Sequence, residues 1–275
     1  MPPNINILYG TAWKQDDTER LVRHAIEAGF RGIDTACQPK HYNEAGVGAG
    51  IAACLNSRLK RAQLYLQTKF TSLSGQEPRQ IPYDAKASLA EQVAQSGAAS
   101  LLNLRTDYLD CLLLHSPLAD AHETLEVWRA METLVDCGLT RQLGISNCAR
   151  IEQLAALCEM ARIQPTVLQN RFHAETGYDR ELREFCRPRQ IIYQSFWTLT
   201  ANPQLLAHDT VRTLARHHGR TPAQILFRFL TQIGIVPLTG TRSAAHMRQD
   251  LAIFDFELTP SECKSMDAIL QPVPA

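Results

Sequence analysis

The segment Leu109-Asp110-Cys111-Leu112-Leu113-Leu114-His115-Ser116-Pro117 contains an apolar run that ends at a histidine and then at a proline. The run is too short for an amphipathic helix, and its near-continuous hydrophobicity is typical of a parallel strand buried on both faces. A histidine at the carboxyl end of such a strand lies where α/β barrels and doubly wound sheets place their chemistry. The simpler alternative is a histidine that only caps a turn.

The rest of the chain alternates strands of this kind with helices. We predict further strands at Asn4–Ala12, Phe30–Asp34, Leu64–Lys69, Gln142–Asn147, Thr166–Gln169, Gln190–Gln194 and Ile235–Leu238. We predict helices at Asp16–Ala28, Gly46–Ser57, Asp84–Leu104, Glu123–Cys137, Arg150–Ala161, Tyr178–Phe185, Pro203–His217, Pro222–Gln232, Ala244–Ile253 and Pro260–Leu270. No Gly-x-Gly-x-x-Gly motif follows the first strand, which disfavours an ordinary Rossmann fold. Eight strand–helix repeats without a linker predict one closed (β/α)₈ or TIM barrel over residues 1–275.

The bulk composition excludes several classes of protein. The chain has 275 residues with 28 basic and 28 acidic side chains, so its formal net charge is +0. A balanced charge gives no electrostatic footprint for nucleic acid or for an anionic membrane. The start lacks the pattern of a signal peptide, and no apolar run is long enough to span a membrane. The 8 cysteines are scattered without a Cys-x-x-Cys pair, which favours free thiols in the cytoplasm over disulfides or a zinc site.

Polar residues follow most of the predicted strands at their carboxyl ends. They are Asp34, Lys69, His115, Ser146, Asn147, Gln169, Gln194 and Ser195. In a barrel these side chains converge on one face, where Asp34 and Lys69 can neutralise each other. The loop after Asp34 supplies Tyr42, and a nearby lysine is expected to lower the pKa of a tyrosine. The set therefore predicts a tuned proton donor, with an ion pair that merely closes the barrel rim as the simpler reading.

At these residues the chain resembles the aldo-keto reductase family. The resemblance runs through Gly29-Phe30-Arg31-Gly32-Ile33-Asp34-Thr35-Ala36, Asn43-Glu44, Lys69, Leu112-Leu113-Leu114-His115, Gly144-Ile145-Ser146-Asn147, Gln169 and Phe254-Asp255-Phe256-Glu257-Leu258. These motifs fall in the family's order and cover essentially the whole chain. The resemblance implies a (β/α)₈ barrel that binds NADP(H) without a Rossmann motif and reduces aldehydes and ketones to alcohols.

The resemblance also implies residue roles. Asp34, Tyr42, Lys69 and His115 match the family's catalytic tetrad. Tyr42 is then the proton donor for the carbonyl oxygen, Lys69 lowers the pKa of Tyr42, and His115 orients the substrate. Ser146, Asn147 and Gln169 are expected to hold the nicotinamide carboxamide.

One departure concerns the proton donor. The family's tyrosine usually lies five residues after the aspartate, but Pro39 occupies that position here. Counting back from Val47 selects His41 instead of Tyr42. We favour Tyr42, because a phenol is the better proton donor to an alkoxide at this position.

Two departures concern the cofactor. Gln194 occupies the slot of an aromatic residue that stacks on the nicotinamide, and Tyr193 is expected to point to the opposite side of its strand. Phe196 or Trp197 is then the substitute. The expected 2′-phosphate segment has Arg242 in the position of a lysine, and Asp250 replaces an asparagine near the adenine. The remaining cofactor-binding residues expected with Ser195 are Thr239, Gly240, Thr241, His246 and Gln249.

The substrate is expected to be a small-molecule carbonyl or alcohol, bound by a monomer or weak dimer. Trp13, Phe70 and Trp197, with the loop Thr71–Pro82, are the predicted walls of its pocket, which the short tail after Leu270 leaves open. Two other hypotheses stay open. One is a cofactor-binding barrel that acts as a sensor or interaction subunit, and the other is a metal-dependent hydrolase that uses Asp34, His41 and His115. The hydrolase ranks last, because the paired histidines and carboxylates that such metal sites need are lacking.

Overall fold

A computed structural model of the chain describes residues 5–56 and 59–270. Eight parallel strands form one closed barrel in the order β1 to β8, in which β8 pairs with β1. The strands are Leu8–Gly10 (β1), Gly32–Asp34 (β2), Tyr65–Phe70 (β3), Cys111–Leu114 (β4), Leu143–Ser146 (β5), Val167–Arg171 (β6), Ile192–Phe196 (β7) and Val236–Thr239 (β8). The prediction of a single (β/α)₈ barrel is confirmed. Three sequence predictions lie outside the described residues: the start of a strand at Asn4, the end of a helix at Ser57 and the short tail after Leu270.

Helices cover the outside of this barrel. They are Thr18–Ala28 (α1), Glu44–Cys54 (α2), Leu89–Leu104 (α3), Ala121–Asp136 (α4), Ile151–Met160 (α5), Arg180–Cys186 (α6), Pro203–Ala207 (α7), Asp209–His218 (α8), Pro222–Gln232 (α9), Ala244–Leu251 (α10) and Pro260–Ala268 (α11). Gly29 ends α1 with a φ of 123°, a value that glycine adopts without strain. Thr221 and Pro222 begin α9 as a cap and a first-turn proline.

Two predicted helices differ from the observed ones. The helix predicted from Asp84 begins at Leu89, because Ser88 and Glu91 form a capping box that fixes the start. The helical region predicted as Pro203–His217 is two helices, separated by His208 in an extended conformation with ψ 139°. The ring nitrogen Nδ1 of His208 accepts a hydrogen bond from the main-chain nitrogen of Thr210 and caps the second helix. In both places a local cap, rather than hydrophobic spacing, sets the boundary.

The interior of the barrel changes from apolar to polar along the strands. Leu8, Tyr65, Cys111, Leu113, Val167 and Leu238 form a small apolar cluster of their own. Alternate residues of a strand face the same side. The side chains of Tyr65, Gln67 and Lys69 of β3 therefore all point into the barrel, one above the other toward the carboxyl end. The register pairs Phe70 with Leu114, and the next residues, Thr71 and His115, are therefore opposite each other. The fold thus places polar side chains at the carboxyl ends of the strands.

Two further features of the described residues concern the apolar length of the helices and the state of the cysteines. No helix in it has the length and hydrophobicity needed to cross a membrane. All eight cysteines are free thiols, and Cys37, Cys54, Cys111, Cys148 and Cys186 are buried. Cys111 is buried as expected from its apolar run, whereas Cys158, also expected inside an apolar pattern, is half-buried.

Candidate active site

An ion pair lies at the carboxyl end of the barrel. Nζ of Lys69 lies 2.7 Å from Oδ1 of Asp34 and also donates to the main-chain oxygen of Thr35 at 2.8 Å. Asp34 is 3% exposed and Lys69 is 1% exposed. Removing one partner of such a pair leaves an uncompensated buried charge. Each of these two side chains therefore depends on the other to remain charged at its buried position.

Three glutamines from β3, β6 and β7 complete the surroundings of Asp34. Nε2 of Gln67 and Nε2 of Gln169 donate to Asp34 Oδ1 at 2.6 and 2.9 Å. Oε1 of Gln194 accepts from the same two nitrogens at 2.8 and 2.9 Å. Because an ionised carboxylate only accepts hydrogen bonds, it fixes which way these amides point. Oε1 of Gln169 has no hydrogen-bond partner among residues 5–56 and 59–270, and Gln169 lines a cavity, so an acceptor is available there.

Tyr42 lies beside this ion pair, on the loop between β2 and α2. Nζ of Lys69 is 5.4 Å from the centroid of the Tyr42 ring, and the ring of His115 is 6.1 Å away in an edge-on arrangement. Burial and the Asp34 carboxylate raise the pKa of Tyr42 well above its ordinary value. The net direction is opposite to the lowered pKa expected beside Lys69, because burial, reinforced by the Asp34 carboxylate, disfavours the phenolate. Tyr42 is therefore a neutral phenol that retains a proton to donate.

His41 precedes Tyr42 but lies against a different neighbour. Its ring stacks on Trp13 at a centroid distance of 3.8 Å, and its main-chain oxygen accepts from the Trp13 nitrogen at 2.7 Å. The main-chain nitrogens of both His41 and Tyr42 donate to the main-chain oxygen of Gln38 at 3.0 Å. The loop thus closes into a turn that directs Tyr42 toward Lys69 and His41 toward Trp13. Burial and the charge of Lys40 lower the pKa of His41.

His115 directly follows β4 and faces Tyr42. Its Nδ1 lies 2.6 Å from Oγ1 of Thr71. Burial, together with the charges of Lys69 and His41, lowers the pKa of His115 to about 3. The imidazole is therefore neutral at neutral pH and can donate a hydrogen bond from one nitrogen only.

Two cavities meet at Tyr42 and His115. The larger has a volume of about 890 Å³, and most predicted site residues line it: Trp13, Asp34, Tyr42, His115, Ser146, Asn147, Gln169, Trp197, Thr239, Gly240, Thr241, Arg242, His246, Gln249 and Asp250. The smaller has a volume of about 430 Å³ and shares Trp13, Tyr42, His115 and Asn147 with the larger. A donor at this junction can reach molecules bound in both.

Comparison with known proteins agrees with this arrangement. The profile of the Aldo/keto reductase family matches residues 6–271. The chain belongs to the aldo/keto reductase family. It is 34% identical over 255 residues to an aldo-keto reductase of Mycobacterium sp. (strain JLS), covering 92% of this chain and 84% of that protein. It is 32% identical over 254 residues to a glyoxal reductase of Bacillus subtilis (strain 168), with the same two coverages of 92% and 84%.

Solved structures of the family superpose on the whole barrel. An aldo/keto reductase from Brucella melitensis has a TM-score of 0.81 at 26% identity and covers 98% of this chain and 100% of its own. A Bombyx mori aldo-keto reductase in complex with NADP has a TM-score of 0.80 at 27% identity, with coverages of 96% and 88%. The oxidoreductase class expected from the sequence is thereby confirmed.

In this family member two neighbouring cations, Lys14 and Arg242, line the larger cavity. Nη2 of Arg242 donates to the main-chain oxygen of Lys14 at 2.9 Å and lies 3.6 Å from the carboxylate of Asp17. Nζ of Lys14 donates to the main-chain oxygen of Gly240. Burial and the charge of Arg242 lower the pKa of Lys14 to about 8. Asp17 is already paired with Arg20 at 2.7 Å, so Arg242 and Lys14 leave positive charge here that suits a phosphate.

Asp250 also lines the larger cavity, but its carboxyl group is turned into the protein. It is 4% exposed, and its Oδ2 accepts a hydrogen bond from Oγ1 of Thr239 at 2.7 Å. Burial raises the pKa of Asp250 to about 6. Its position in the cavity wall matches the sequence expectation, but its carboxyl group is not a strong anion at this place.

Three predicted binding residues do not line either cavity. Phe70 is 1% exposed and packs against Tyr83, because strand alternation turns it away from the side of Lys69. Gln194 is held inside the barrel by the amide network described above. Oγ of Ser195 accepts a hydrogen bond from Thr198 and is completely buried. Direct contact of these three side chains with a ligand in the cavities is thus not supported by the geometry.

Lys69 and Tyr193 are placed by the same alternation. Lys69 lies beneath the cavity wall and acts on it through Asp34 and Tyr42. Tyr193 points outward, where its hydroxyl donates to Asp179 at 2.9 Å, as predicted. Position 194 lacks the stacking aromatic of the family. Phe196 and Trp197, the expected substitutes, both line the larger cavity.

Lys14 and Arg171 also line the larger cavity, although neither was expected from the sequence. Arg171 stacks on the Trp197 ring at 4.4 Å, and both residues line the larger cavity. A signal existed for Arg171, because it lies two residues after Gln169 on the same strand face. Thr71, the first residue of the loop predicted to bound the pocket, lines the smaller cavity.

The nicotinamide residues expected from the sequence are joined to the same strand ends. Oγ of Ser146 donates to the main-chain oxygen of Gln169 at 2.7 Å, and Nδ2 of Asn147 donates to that of His115 at 2.8 Å. Asn147 has a φ of 53°. The amide of Asn170 brackets the next residue, since it accepts from the nitrogen of Cys148 at 3.0 Å and donates to its oxygen at 2.8 Å. This bracket supports the unusual backbone of Asn147.

The hydrolase hypothesis is not supported by the positions of its proposed ligands. Asp34 is paired with Lys69, His41 stacks on Trp13, and these two do not form a ligand cluster with His115 among the described residues. One group with suitable spacing, His217, His218 and Glu262, lies on α8 and α11 on the outside of the barrel. There Nε2 of His218 and Oε1 of Glu262 already pair at 2.9 Å.

Proposed function

We propose that this chain is an NADPH-dependent reductase that converts aldehydes or ketones to alcohols. The observation that carries the proposal is the junction of the two cavities. A neutral phenol, Tyr42, and a neutral imidazole, His115, meet there beside the buried pair Asp34–Lys69. This set can supply a proton and a hydrogen bond to one oxygen atom, which is the chemistry that carbonyl reduction requires.

The larger cavity fits a phosphorylated nicotinamide cofactor. The partnerless Oε1 of Gln169 suits the carboxamide N–H₂ group, with Ser146 and Asn147 beside it. Lys14 and Arg242, which line the same cavity, suit the phosphates. When bound, the cofactor supplies the hydride. Support for NADP as the form used comes from the Bombyx mori relative, which was solved in complex with NADP.

Within this proposal each residue of the junction has one task. The Tyr42 hydroxyl donates its proton to the carbonyl oxygen as the alcohol forms. Lys69 lies close enough to stabilise the resulting phenolate, and Asp34 holds Lys69 in place. The N–H of neutral His115 orients the carbonyl oxygen. The raised pKa of Tyr42 in the unliganded protein keeps the proton available until that oxygen develops negative charge.

The smaller cavity favours a small polar carbonyl as substrate. Apart from the residues it shares with the larger cavity, its walls are Gln38, His41, Thr71, Ser72, Ser74, Gly75 and Ser116. Hydroxyl and amide groups of this kind cost free energy when an apolar ligand covers them without replacing their hydrogen bonds. One relative is named a glyoxal reductase, and glyoxal has this small polar character. Trp13 and Tyr42 are the two large aromatic side chains in the described lining of this cavity.

The test is a substrate panel followed by the loss of NADPH absorbance. Glyoxal and glyceraldehyde are compared with benzaldehyde and a long-chain aldehyde. We expect turnover with NADPH, and a higher kcat/KM for the polar pair. No turnover with any carbonyl, at an NADPH concentration shown by fluorescence to saturate the protein, contradicts the reductase proposal. That result supports the sensor hypothesis, which is motivated by Gln194, Asp250 and the altered tyrosine loop. Our proposal places the enzyme in the cytoplasm, and the eight free thiols support this compartment. It also describes the enzyme as a monomer or weak dimer.

A further inference from the structure

Thr71 and His115 are joined across neighbouring strands by a short hydrogen bond. Oγ1 of Thr71 lies 2.6 Å from Nδ1 of His115. The main-chain nitrogen of His115 also donates to the oxygen of Phe70 at 2.8 Å, which continues the β3–β4 pairing up to this point. The two residues are therefore opposite each other with side chains on the same face. Both line the smaller cavity.

The hydrogen bond has one arrangement that satisfies both groups. If Nδ1 carried the proton and donated to Thr71, the hydroxyl hydrogen of Thr71 would have no acceptor among the residues that the structure describes. Thr71 is only 4% exposed, so solvent is a poor substitute. If Thr71 donates to Nδ1, its hydrogen is satisfied and the proton of the neutral ring must be on Nε2. Nε2 has no partner in the described chain and is left to face a ligand.

The surroundings of Thr71 hold its hydroxyl in this position. Its main-chain oxygen accepts from the hydroxyl of Tyr83 at 2.7 Å and from Nε2 of Gln76 at 3.1 Å. A Cβ atom at Gly75 would lie 2.6 Å from the methyl group of Thr71, so the glycine leaves room for this rotamer. Backbone and side chain are thus fixed by contacts from the loop after β3.

We propose that Thr71 is a positioning residue that selects the Nε2–H tautomer of His115 and so aims its donor at the substrate carbonyl. This inference rests on the proposed reductase function for its catalytic part. The charge state supports it, because the pKa of His115 is lowered to about 3 and the ring stays neutral at neutral pH. A doubly protonated ring would donate from both nitrogens and would need no selection.

The test combines a spectroscopic measurement with kinetics. Two-bond ¹H–¹⁵N correlation spectra of the ¹⁵N-labelled protein distinguish the protonated from the unprotonated ring nitrogen, and His115→Gln assigns the signal. We expect the Nε2–H form in the unsubstituted protein and a mixture of tautomers in Thr71→Val. The same variant should lose roughly 10-fold to 100-fold in kcat, the scale of a misdirected catalytic group, while NADPH affinity is unchanged. Thr71→Ser should preserve both the tautomer and kcat.

The control is Thr133→Val, which makes the same substitution at an exposed position on α4. A pure Nε2–H signal in Thr71→Val, or an Nδ1–H signal in the unsubstituted protein, overturns the inference. A shifted tautomer with unchanged kcat overturns its catalytic part. If Thr71→Val does not fold, the spectrum of the unsubstituted protein and the Thr71→Ser variant still decide. If the protein reduces no carbonyl, the reductase proposal fails, but the spectra test the tautomer independently of turnover.

Discussion

Oε1 of Gln194 accepts a hydrogen bond from Nε2 of Gln169 at 2.9 Å, inside the barrel and beneath the larger cavity. The aldo-keto reductase resemblance calls for a stacking aromatic at position 194. Here the position instead completes a polar layer with Gln67 and Asp34. The layer turns the nitrogen of Gln169 inward and its oxygen toward the cavity. Under the proposed function, Gln194 therefore acts on the cofactor through Gln169.

Replacing Gln194 tests this arrangement. Gln194→Met keeps the length of the side chain but removes the acceptor of two amide donors. We expect a loss of about 1–3 kcal/mol in the free energy of unfolding, and weaker NADPH binding, because Gln169 is free to rotate. Urea unfolding and NADPH fluorescence titration measure the two effects. Unchanged NADPH affinity in the folded variant would show that Gln169 does not need this partner.

Lys69→Met is expected to abolish carbonyl reduction while NADPH still binds. The variant leaves Asp34 buried without its cation, so a stability loss of roughly 3–5 kcal/mol accompanies it. The double variant Asp34→Asn/Lys69→Met removes both charges and should regain much of this stability without regaining turnover. Lys264→Met, at an exposed position on α11, is the control. Normal turnover by a folded Lys69→Met protein would remove Lys69 from the mechanism.

Tyr42→Phe should lower kcat by at least ~100-fold, the usual scale for a general acid. NADPH affinity should barely change, because the phenol ring is retained. His41→Ala should lower kcat less, since the His41 ring lies on Trp13. Steady-state kinetics with one polar aldehyde compare the two variants.

The matched control for the phenol is Tyr108→Phe. Tyr108 precedes β4. The guanidinium carbons of Arg61 and Arg141 lie 4.1 and 4.0 Å from the centroid of its ring. If His41→Ala is the inactive variant and Tyr42→Phe the active one, the proton donor has been assigned to the wrong residue of the loop.

Arg242→Ala should weaken NADPH binding by about 10-fold to 100-fold and NADH binding much less. A charge-assisted contact to a phosphate contributes roughly 1.5–3 kcal/mol, and only NADPH carries the 2′-phosphate. Binding of each cofactor is measured by fluorescence titration. Arg248→Ala, an exposed arginine on α10, is the control. An equal loss for both cofactors would mean that Arg242 instead holds the loop of Lys14.

Asp250→Asn should change how stability depends on pH. The pKa of Asp250 is raised from 3.8 to about 6, so the folded protein favours the protonated carboxyl. Its favourable contribution is present below the unfolded value and is lost as pH rises through about 6. The Asp250→Asn variant does not lose this stability, because asparagine does not ionise. Its stability relative to the unsubstituted protein should rise between about pH 4 and about pH 7, by on the order of 3 kcal/mol at most.

Urea unfolding at several pH values across that range measures this difference. A constant difference between the two proteins would mean that Asp250 is ionised normally when folded. The hydrogen bond from Thr239 can persist in the variant, because the amide oxygen of asparagine also accepts.

The sequence by itself determined the barrel and the positions of three strand-end residues. Buried parallel strands have a local sequence signature, and the residue at which such a strand ends can be identified from the sequence. Asp34, Lys69 and His115 could therefore be assigned to one face of the barrel from the sequence alone. Helix boundaries were less accurate, because Ser88 and His208 set them by capping contacts that hydrophobic spacing does not contain.

Only the tertiary structure decided how these residues act on one another. Which of His41 and Tyr42 faces Lys69 depends on a loop that closes on Gln38 and packs against Trp13, and such contacts join residues far apart in sequence. The direction of each pKa depends on burial and on all nearby charges at once. For that reason the sequence predicted a lowered pKa for Tyr42, whereas burial and Asp34 raise it. The hydrogen bond from Thr71 to His115 likewise exists only because β3 and β4 pair in one register.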